Sequence, residues 1–467
     1  MPQKAYAKLP SWAKILLSFQ EWSLDVMRHE FIEESRKQWS SEPAFIASMA
    51  AAAVGLGNLW RFPYIMGENG GGAFVVAYLV ALLVVVMPIM MLEVSAGRLS
   101  KGSTVGTYRQ IGGFGTVYGW FVVLVTVAIT SYYLVITGWT LGYAVDAARG
   151  QVRVFGDFSS GFNSLWYFIV TALLAALVLA RDVRAIEKLS KLLMPVLLAV
   201  ILFLVYRASQ TTGWSEAKAF FFQVDWQRLL DGRLWGFAFG QAFYTLAIGQ
   251  GYLVTYGSFI PRKTHVPRAC LIVAGMETSV ALLAGWMIFP FVFSLGMEPG
   301  QGSALAFETL PLVFDQIPGG PWLAFLFFAL FFAAAFTSSL AGLKVVIAAV
   351  AEEFRLHNTG AVILVTALML LLGTASALSF TPLEWQIAGE PVLDVIDRIA
   401  GGDVIIFSGI TGAALLCWFI PPGRIRTVLG TSSRWWEWRI YLIGRYLPLV
   451  VLLWAVVTFA VHQAGSG

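Results

Sequence analysis

One stretch constrains this chain more than any other: Ala51-Ala-Ala-Val-Gly-Leu-Gly-Asn-Leu-Trp-Arg-Phe-Pro63. It lies inside an apolar run of about membrane length that begins near Phe45, yet it carries two glycines, an Asn and an Arg. In hydrocarbon, an interrupted helix leaves peptide N–H and C=O groups unpaired, at several kcal/mol each unless something binds them. Helix ends freed by a break offer N–H groups to anions and C=O groups to cations. Gly55 and Gly57 permit such a break, and Asn58 adds a neutral oxygen suited to a hard cation. A Gly kink in a packed helix accounts for a lone Gly-x-Gly equally well, so the reading depends on what else the chain carries.

The surrounding sequence is that of a polytopic membrane protein. Of 467 residues, 58% are hydrophobic and 12% charged, and mean hydropathy is +0.74. Apolar runs of 18 residues or more recur, each enough for a bilayer of roughly 30 Å. No cleavable signal peptide is expected, because Ile15-Leu-Leu-Ser-Phe19 is too short. Cys270 and Cys417 sit in apolar segments and read as small packing residues. The net charge of +4 reflects loop bias, and no nucleic-acid partner is expected.

Eleven spans are expected: 44–68 (broken), 72–94, 118–147, 164–181, 187–207, 233–259 (broken), 268–296, 320–352, 360–378, 402–420 and 440–463. Arg98, Lys101 and Arg109 follow span two; Arg181, Arg184, Lys188 and Lys191 surround the next inner turn; Arg424, Arg426, Arg434 and Arg439 precede the last span. Alternate loops carry Glu298, Glu308, Asp315, Glu384, Glu390 and Asp394. The Lys/Arg bias puts the N-terminus in the cytoplasm and, with an odd number of spans, the C-terminus outside a cell's inner (plasma) membrane. Residues 1–43 form a tail, 44–463 the membrane domain and 464–467 a short external end. Trp12, Leu16, Phe19, Ser23 and Val26 share one helical face of the tail, which fits an amphipathic helix or an inert solvated segment.

The first stretch continues as Arg61-Phe-Pro-Tyr64 and Glu68-Asn-Gly-Gly-Gly-Ala-Phe74. Together these residues resemble the signature of the neurotransmitter:sodium symporter family, the LeuT-like transporters. A second apolar span, Gly240-Gln-Ala-Phe-Tyr-Thr-Leu-Ala-Ile-Gly-Gln-Gly-Tyr252, is interrupted from Thr245 to Gly251. Paired interruptions of this kind point to an inverted repeat with a binding site at mid-bilayer. The resemblance implies an all-α membrane protein with the LeuT fold: a 5+5 inverted repeat plus one further helix, with helices one and six broken. The twelfth helix of the best-known members is not expected here. The halves share no strong residue identity, so the repeat follows from the breaks and the resemblance.

In Phe331–Leu340, residues Ala334, Thr337 and Ser338 share one helix face. Two hydroxyls and a carbonyl make an uncharged oxygen cage that suits Na⁺ better than a divalent ion. The same hydroxyls also fit bonding back to the preceding turn. The resemblance assigns Thr337 and Ser338 to a second sodium site with the carbonyls of Ala51, Val54 and Ala334. It assigns a first site, touching substrate, to Ala53, Asn58, Thr245 and Glu277. An ionisable group at membrane depth is a functional candidate. Glu277 is expected to bind Na⁺, or a proton when the ion is gone; a structural hydrogen bond is the alternative. Of the residues that surround chloride in relatives, Tyr78, Gln241 and Thr245 match, while Ala281 replaces a serine. With Glu277 one turn earlier, chloride is not expected to be required, and two Na⁺ ions are.

Monoamine-carrying relatives have Asp where this chain has Gly55, so the substrate is expected to bring its own carboxylate. N–H groups near Leu56 and Gly57, with the Tyr133 hydroxyl, would hold it, and Ile129 lies one turn from Tyr133 on the same face. By resemblance the pocket also takes in Ala52, Ala53, Tyr244, Thr245, Ala247, Gln250, Ser338, Ser339 and Gly342. Ala247 and Gly342 replace larger family residues and leave room, and Gln250 stands where the family has an aromatic lid. The expected substrate is a neutral amino acid, hydrophobic or large. Arg61 and Asp397 match the family's outer gate; Arg36, Trp39 and Glu352 match its inner gate. The expected function is sodium-coupled amino-acid import by alternating access, with no enzymatic chemistry. A proton-coupled or ion-independent exchanger, or a substrate-gated channel or sensor, are the alternatives. Oligomeric state is not legible.

Overall fold

Helix α1 (Glu42–Ala53) starts where Ser41 caps it, its side chain accepting from the Ala44 N–H at 3.3 Å, and Pro43 sits in the first turn. It stops because Val54 turns extended (φ −77°, ψ 109°). Helix α2 (Gly57–Glu68) resumes with a π turn over Gly57–Arg61 and leaves at 51° to α1. This computed structural model describes residues 38–465, apart from 182, 262, 300–305, 308, 317 and 431–432. The expected amphipathic tail and Arg36 therefore lie outside the described residues.

The longer or site-forming helices that follow are α3 (Gly72–Ser100), α4 (Thr104–Arg109), α5 (Gly113–Ala148), α6 (Asn163–Leu179) and α7 (Val183–Ser209). They continue with α8 (Gly232–Thr245), α9 (Tyr252–Gly257), α10 (Val266–Ser294), α11 (Gly320–Glu353), α12 (Asn358–Leu378), α13 (Val392–Phe419) and α14 (Arg434–Gly465). Each segment expected to span the membrane is helical. Among the described residues, seven continuous helices are long and apolar enough to cross, and the bent α1–α2 pair makes an eighth. The tenth segment differs from expectation: helix α13 begins at Val392, not near residue 402. Asp394, Asp397 and Arg398 read as loop by polarity, but they line an outer cavity, where charge is tolerated.

The core is built from α5 packed along α11, with the two broken helices against it. Close approach depends on small residues. A Cβ on Gly97 of α3 would fall 1.9 Å from the Val254 carbonyl of α9, and one on Gly257 would fall 2.5 Å from the Val94 carbonyl. That contact locks the short α9 beside α3 and leaves the break before it to be held by side chains.

Candidate functional site

The second break runs from residue 246 to 251, with left-handed backbone at Ala247 (φ 51°), Gly249 (φ 74°) and Gly251 (φ 72°). Its peptide groups are satisfied from four other helices. Glu93 of α3 accepts from the Gly249 N–H at 2.9 Å, and Ser408 of α13 donates to the Gly249 carbonyl at 2.6 Å. Thr126 of α5 donates to the Gln250 carbonyl at 2.6 Å, and Thr104 of α4 to that of Gly251 at 3.3 Å. None of these four was singled out from sequence, because each lies more than a hundred residues from its partner. Glu93 is 1% exposed, so a Glu93→Ala change strands a buried N–H, at about 1–3 kcal/mol. The expected result is a lower melting temperature and roughly tenfold slower uptake, with Glu93→Gln, which keeps the acceptor, near wild type.

The first break frees the last carbonyls of α1. Thr337 Oγ1 lies 2.8 Å from the Ala51 carbonyl, 2.9 Å from that of Ala334 and 3.2 Å from that of Ala333. Ser338 Oγ lies 2.8 Å from the Ala52 carbonyl and 3.2 Å from that of Val54. Two hydroxyls bring two protons to five acceptors, so the cluster is electron-rich and uncharged. This is the donor set a dehydrated monovalent cation takes. The second-site residues expected from sequence, Ala51, Val54, Ala334, Thr337 and Ser338, are thus brought together.

Beside it, Asn58 folds back so that its Oδ1 accepts from the Gly55 N–H at 3.0 Å. Its Nδ2 donates to the Glu277 carboxylate at 2.7 Å and to the Glu277 carbonyl at 3.1 Å. The other carboxylate oxygen accepts from Tyr78 at 2.9 Å and Thr278 at 3.2 Å. Glu277 is fully buried and held by three side chains from three helices. Tyr78, matched to a chloride ligand, therefore faces a carboxylate, while Ala281 is buried without a polar atom to offer. Gln241 Nε2 donates to the Gly57 carbonyl at 2.7 Å, tying the two breaks together, and the Thr245 hydroxyl bonds back to the Gln241 carbonyl at 3.0 Å.

Between the breaks lies a cavity of about 30 Å³, room for one or two waters. Ala52, Ala53, Gly57, Ile129, Tyr133, Tyr244, Thr245, Ala247, Gln250 and Ser338 line it as expected, and Tyr252 joins them. The Tyr133 hydroxyl accepts from the Leu56 N–H at 2.8 Å. Gly55, Leu56, Ser339 and Gly342 do not line it. Ser339 Oγ is turned to Thr137 at 3.1 Å and to the Ala335 carbonyl at 2.9 Å. The room that Gly342 leaves is taken by the Tyr252 hydroxyl, 2.4 Å from where a Cβ would stand.

The outer gate is built differently from the expected ion pair. Arg61 donates to Gln241 Oε1 at 3.2 Å and stacks 4.6 Å over the Tyr244 ring. Asp397 accepts from the Tyr132 hydroxyl at 2.5 Å. The Tyr132 hydroxyl and the Tyr244 ring crowd Gly401 beside Asp397, so the two charges are bridged by tyrosines instead of touching. At the inner side Trp39 donates to the Tyr256 carbonyl at 3.2 Å and packs on Phe259. Glu352 accepts from the Ser103 N–H at 2.7 Å.

Comparison with known proteins bears on this geometry. The model of the sodium:neurotransmitter symporter family matches residues 36–153 and 151–465. An uncharacterised sodium-dependent transporter of Haemophilus influenzae is 30% identical over 458 residues, covering 91% of this chain and 98% of that one. One from Bacillus subtilis is 30% identical over 444 residues, covering 90% and 97%. The human sodium- and chloride-dependent neutral and basic amino acid transporter B(0+) is 23% identical over 529 residues, covering 93% and 81%. The crystal structure of MhsT in complex with L-phenylalanine superposes with a TM-score of 0.81 at 33% identity, covering 90% of this chain and 99% of that one. The LeuT fold is therefore present, and the function is transport, not enzymatic catalysis. With its two broken helices and the oxygen cluster between the first of them and α11, this chain belongs to the sodium:neurotransmitter symporter family as a sodium-dependent membrane transporter.

Proposed function

We propose that the chain imports a neutral, hydrophobic or large α-amino acid together with two Na⁺ ions, across a cell's plasma membrane, without needing chloride. The observation that carries this reading is the excess of acceptors around Thr337 and Ser338, set against the cavity between the breaks. Ser338 belongs to both, so ion and substrate share a wall. The Leu56 N–H donates to the Tyr133 hydroxyl at the cavity wall, which leaves the Tyr133 O–H to donate to a substrate carboxylate. Ile129, Tyr244 and Tyr252 give an apolar, aromatic wall, and MhsT binds phenylalanine in the same fold. Admission requires the tyrosine rings to swing, since the closed cavity is small.

Alternating access then follows from which end is tied. Outside, the Arg61–Tyr244 and Asp397–Tyr132 contacts close the way to a vestibule of about 510 Å³. Inside, Trp39 fastens the start of α1 to α9. Release at one end with closure at the other carries the load across, and each ion's charge adds about 2.3 kcal/mol per 100 mV of membrane potential. In this reading the N-terminus is cytoplasmic and the C-terminus external. Glu277 supplies the negative charge that chloride brings in relatives, since Tyr78 already donates to it.

Uptake into proteoliposomes tests the proposal. Leucine or phenylalanine should accumulate under an inward Na⁺ gradient and not under choline, with glutamate and lysine failing to compete. Replacing chloride by gluconate should leave the rate unchanged. Equal uptake in choline points to the ion-independent exchanger, and uptake driven by a pH gradient alone to the proton-coupled one.

A further inference from the structure

A groove of about 670 Å³ opens on the outer surface of the helix bundle, between α6, α7 and α11. Its walls are Leu174 and Leu177 of α6, Leu192 of α7, and Phe332 and Phe336 of α11. Leu177 is 67% exposed and Leu192 64%, so in a bilayer these walls face acyl chains. At one end stand Arg181, in the α6–α7 turn, and Arg184 and Lys188, in the first turns of α7. None of the three forms an ion pair among the described residues, whereas Lys191, one turn on, is taken by Glu187 at 2.6 Å. Residues 181–191 carry a net charge of +2, with Asp182, outside the described residues, counted. From Arg181 back to Leu174 the helix rises about 10 Å, a good part of one leaflet's hydrocarbon.

We propose that this groove is a binding site for one anionic phospholipid, its phosphate at Arg181, Arg184 and Lys188 and an acyl chain along the leucine and phenylalanine walls. Charge complementarity selects the headgroup: each cation near the surface favours an anionic lipid, giving a preference on the order of 10- to 100-fold over a zwitterionic one. The apolar length selects a lipid over a free phosphate ester. The site has a route to transport. Glu187, on the same turn of α7 as Lys188, accepts from the Ser40 N–H at 3.0 Å just before α1. Phe336 directly precedes Thr337 of the oxygen cluster. A lipid bridging the α6–α7 turn to α11 therefore holds together the two helices that flank the inner half of α1. The binding claim stands independently of which substrate is carried.

The test is native mass spectrometry of the purified full chain titrated with phosphatidylglycerol or phosphatidylcholine of identical acyl chains. Wild type should retain phosphatidylglycerol at least tenfold better. Arg181→Gln/Arg184→Gln/Lys188→Gln should lose that preference, and Leu177→Trp, which fills the groove, should lose adducts of both lipids while melting like wild type. Equal retention of the two lipids by wild type would overturn the proposal. So would an unchanged preference in the triple variant, or displacement of the lipid by millimolar glycerol 3-phosphate, which would make the headgroup sufficient.

Discussion

Uptake by a Gly55→Ala variant is expected to fall at least about 100-fold, equivalent to ~2.7 kcal/mol. The added Cβ would stand 2.3 Å from the Tyr133 hydroxyl oxygen and 2.4 Å from Ser338 Oγ, closer than such contacts occur. Both side chains would have to leave. Tyr133 would then release the Leu56 N–H, and Ser338 would release the Ala52 and Val54 carbonyls, so substrate and cation positions fail together. Gly57→Ala is the comparison: its Cβ would meet Thr245 and Tyr244 side-chain carbons at 3.1 Å, and a loss of only a few-fold is expected. Initial uptake rates, with thermal melts to confirm that both variants fold, measure the difference. Equal losses in the two variants would show that the crowding at Gly55 is irrelevant.

The second large effect concerns the hydroxyl pair. A Thr337→Ala/Ser338→Ala variant keeps the carbonyls of α1 but removes both oxygens that α11 contributes from its side chains. A contact between a charged group and a hydroxyl is worth about 1.5–3 kcal/mol. The Na⁺ concentration for half-maximal uptake should therefore rise at least about tenfold. Thr337→Ser retains the oxygen and should shift it by less than about threefold. An unchanged sodium dependence in the double variant would remove the cluster from the mechanism.

Both breaks were legible because the chain places glycine and amide residues where only apolar helix belongs. Gly55, Gly57, Gly249 and Gly251 sit at or beside the turns that the structure shows. Helical spacing showed that Ala334, Thr337 and Ser338 share one face of α11, but the choice of an oxygen cage over bonding back to the preceding turn, and its partners on α1, came from family resemblance. What could not be read is how the second break is stabilised. Glu93, Thr104, Thr126 and Ser408 come from four helices that only the folded chain brings to one place. A buried glutamate in span two carries no periodic signal that separates it from other intramembrane acids. The size of the cavity was misjudged for a similar reason. Gly342 and Ala247 suggest room, but Tyr252 reaches across to occupy the space at Gly342. At the outer side, the intervening Tyr132 and Tyr244 decide what Arg61 and Asp397 each touch, which no reading of the two charges alone could supply.

The central claim is that cation and substrate occupy one shared site between two broken helices. Equilibrium binding of radiolabelled phenylalanine and leucine to the purified protein, titrated with NaCl at constant ionic strength against KCl, tests it most directly. The account predicts saturable binding of at least one of them that steepens with sodium and is absent in potassium alone. Binding of equal affinity in the two salts would contradict it.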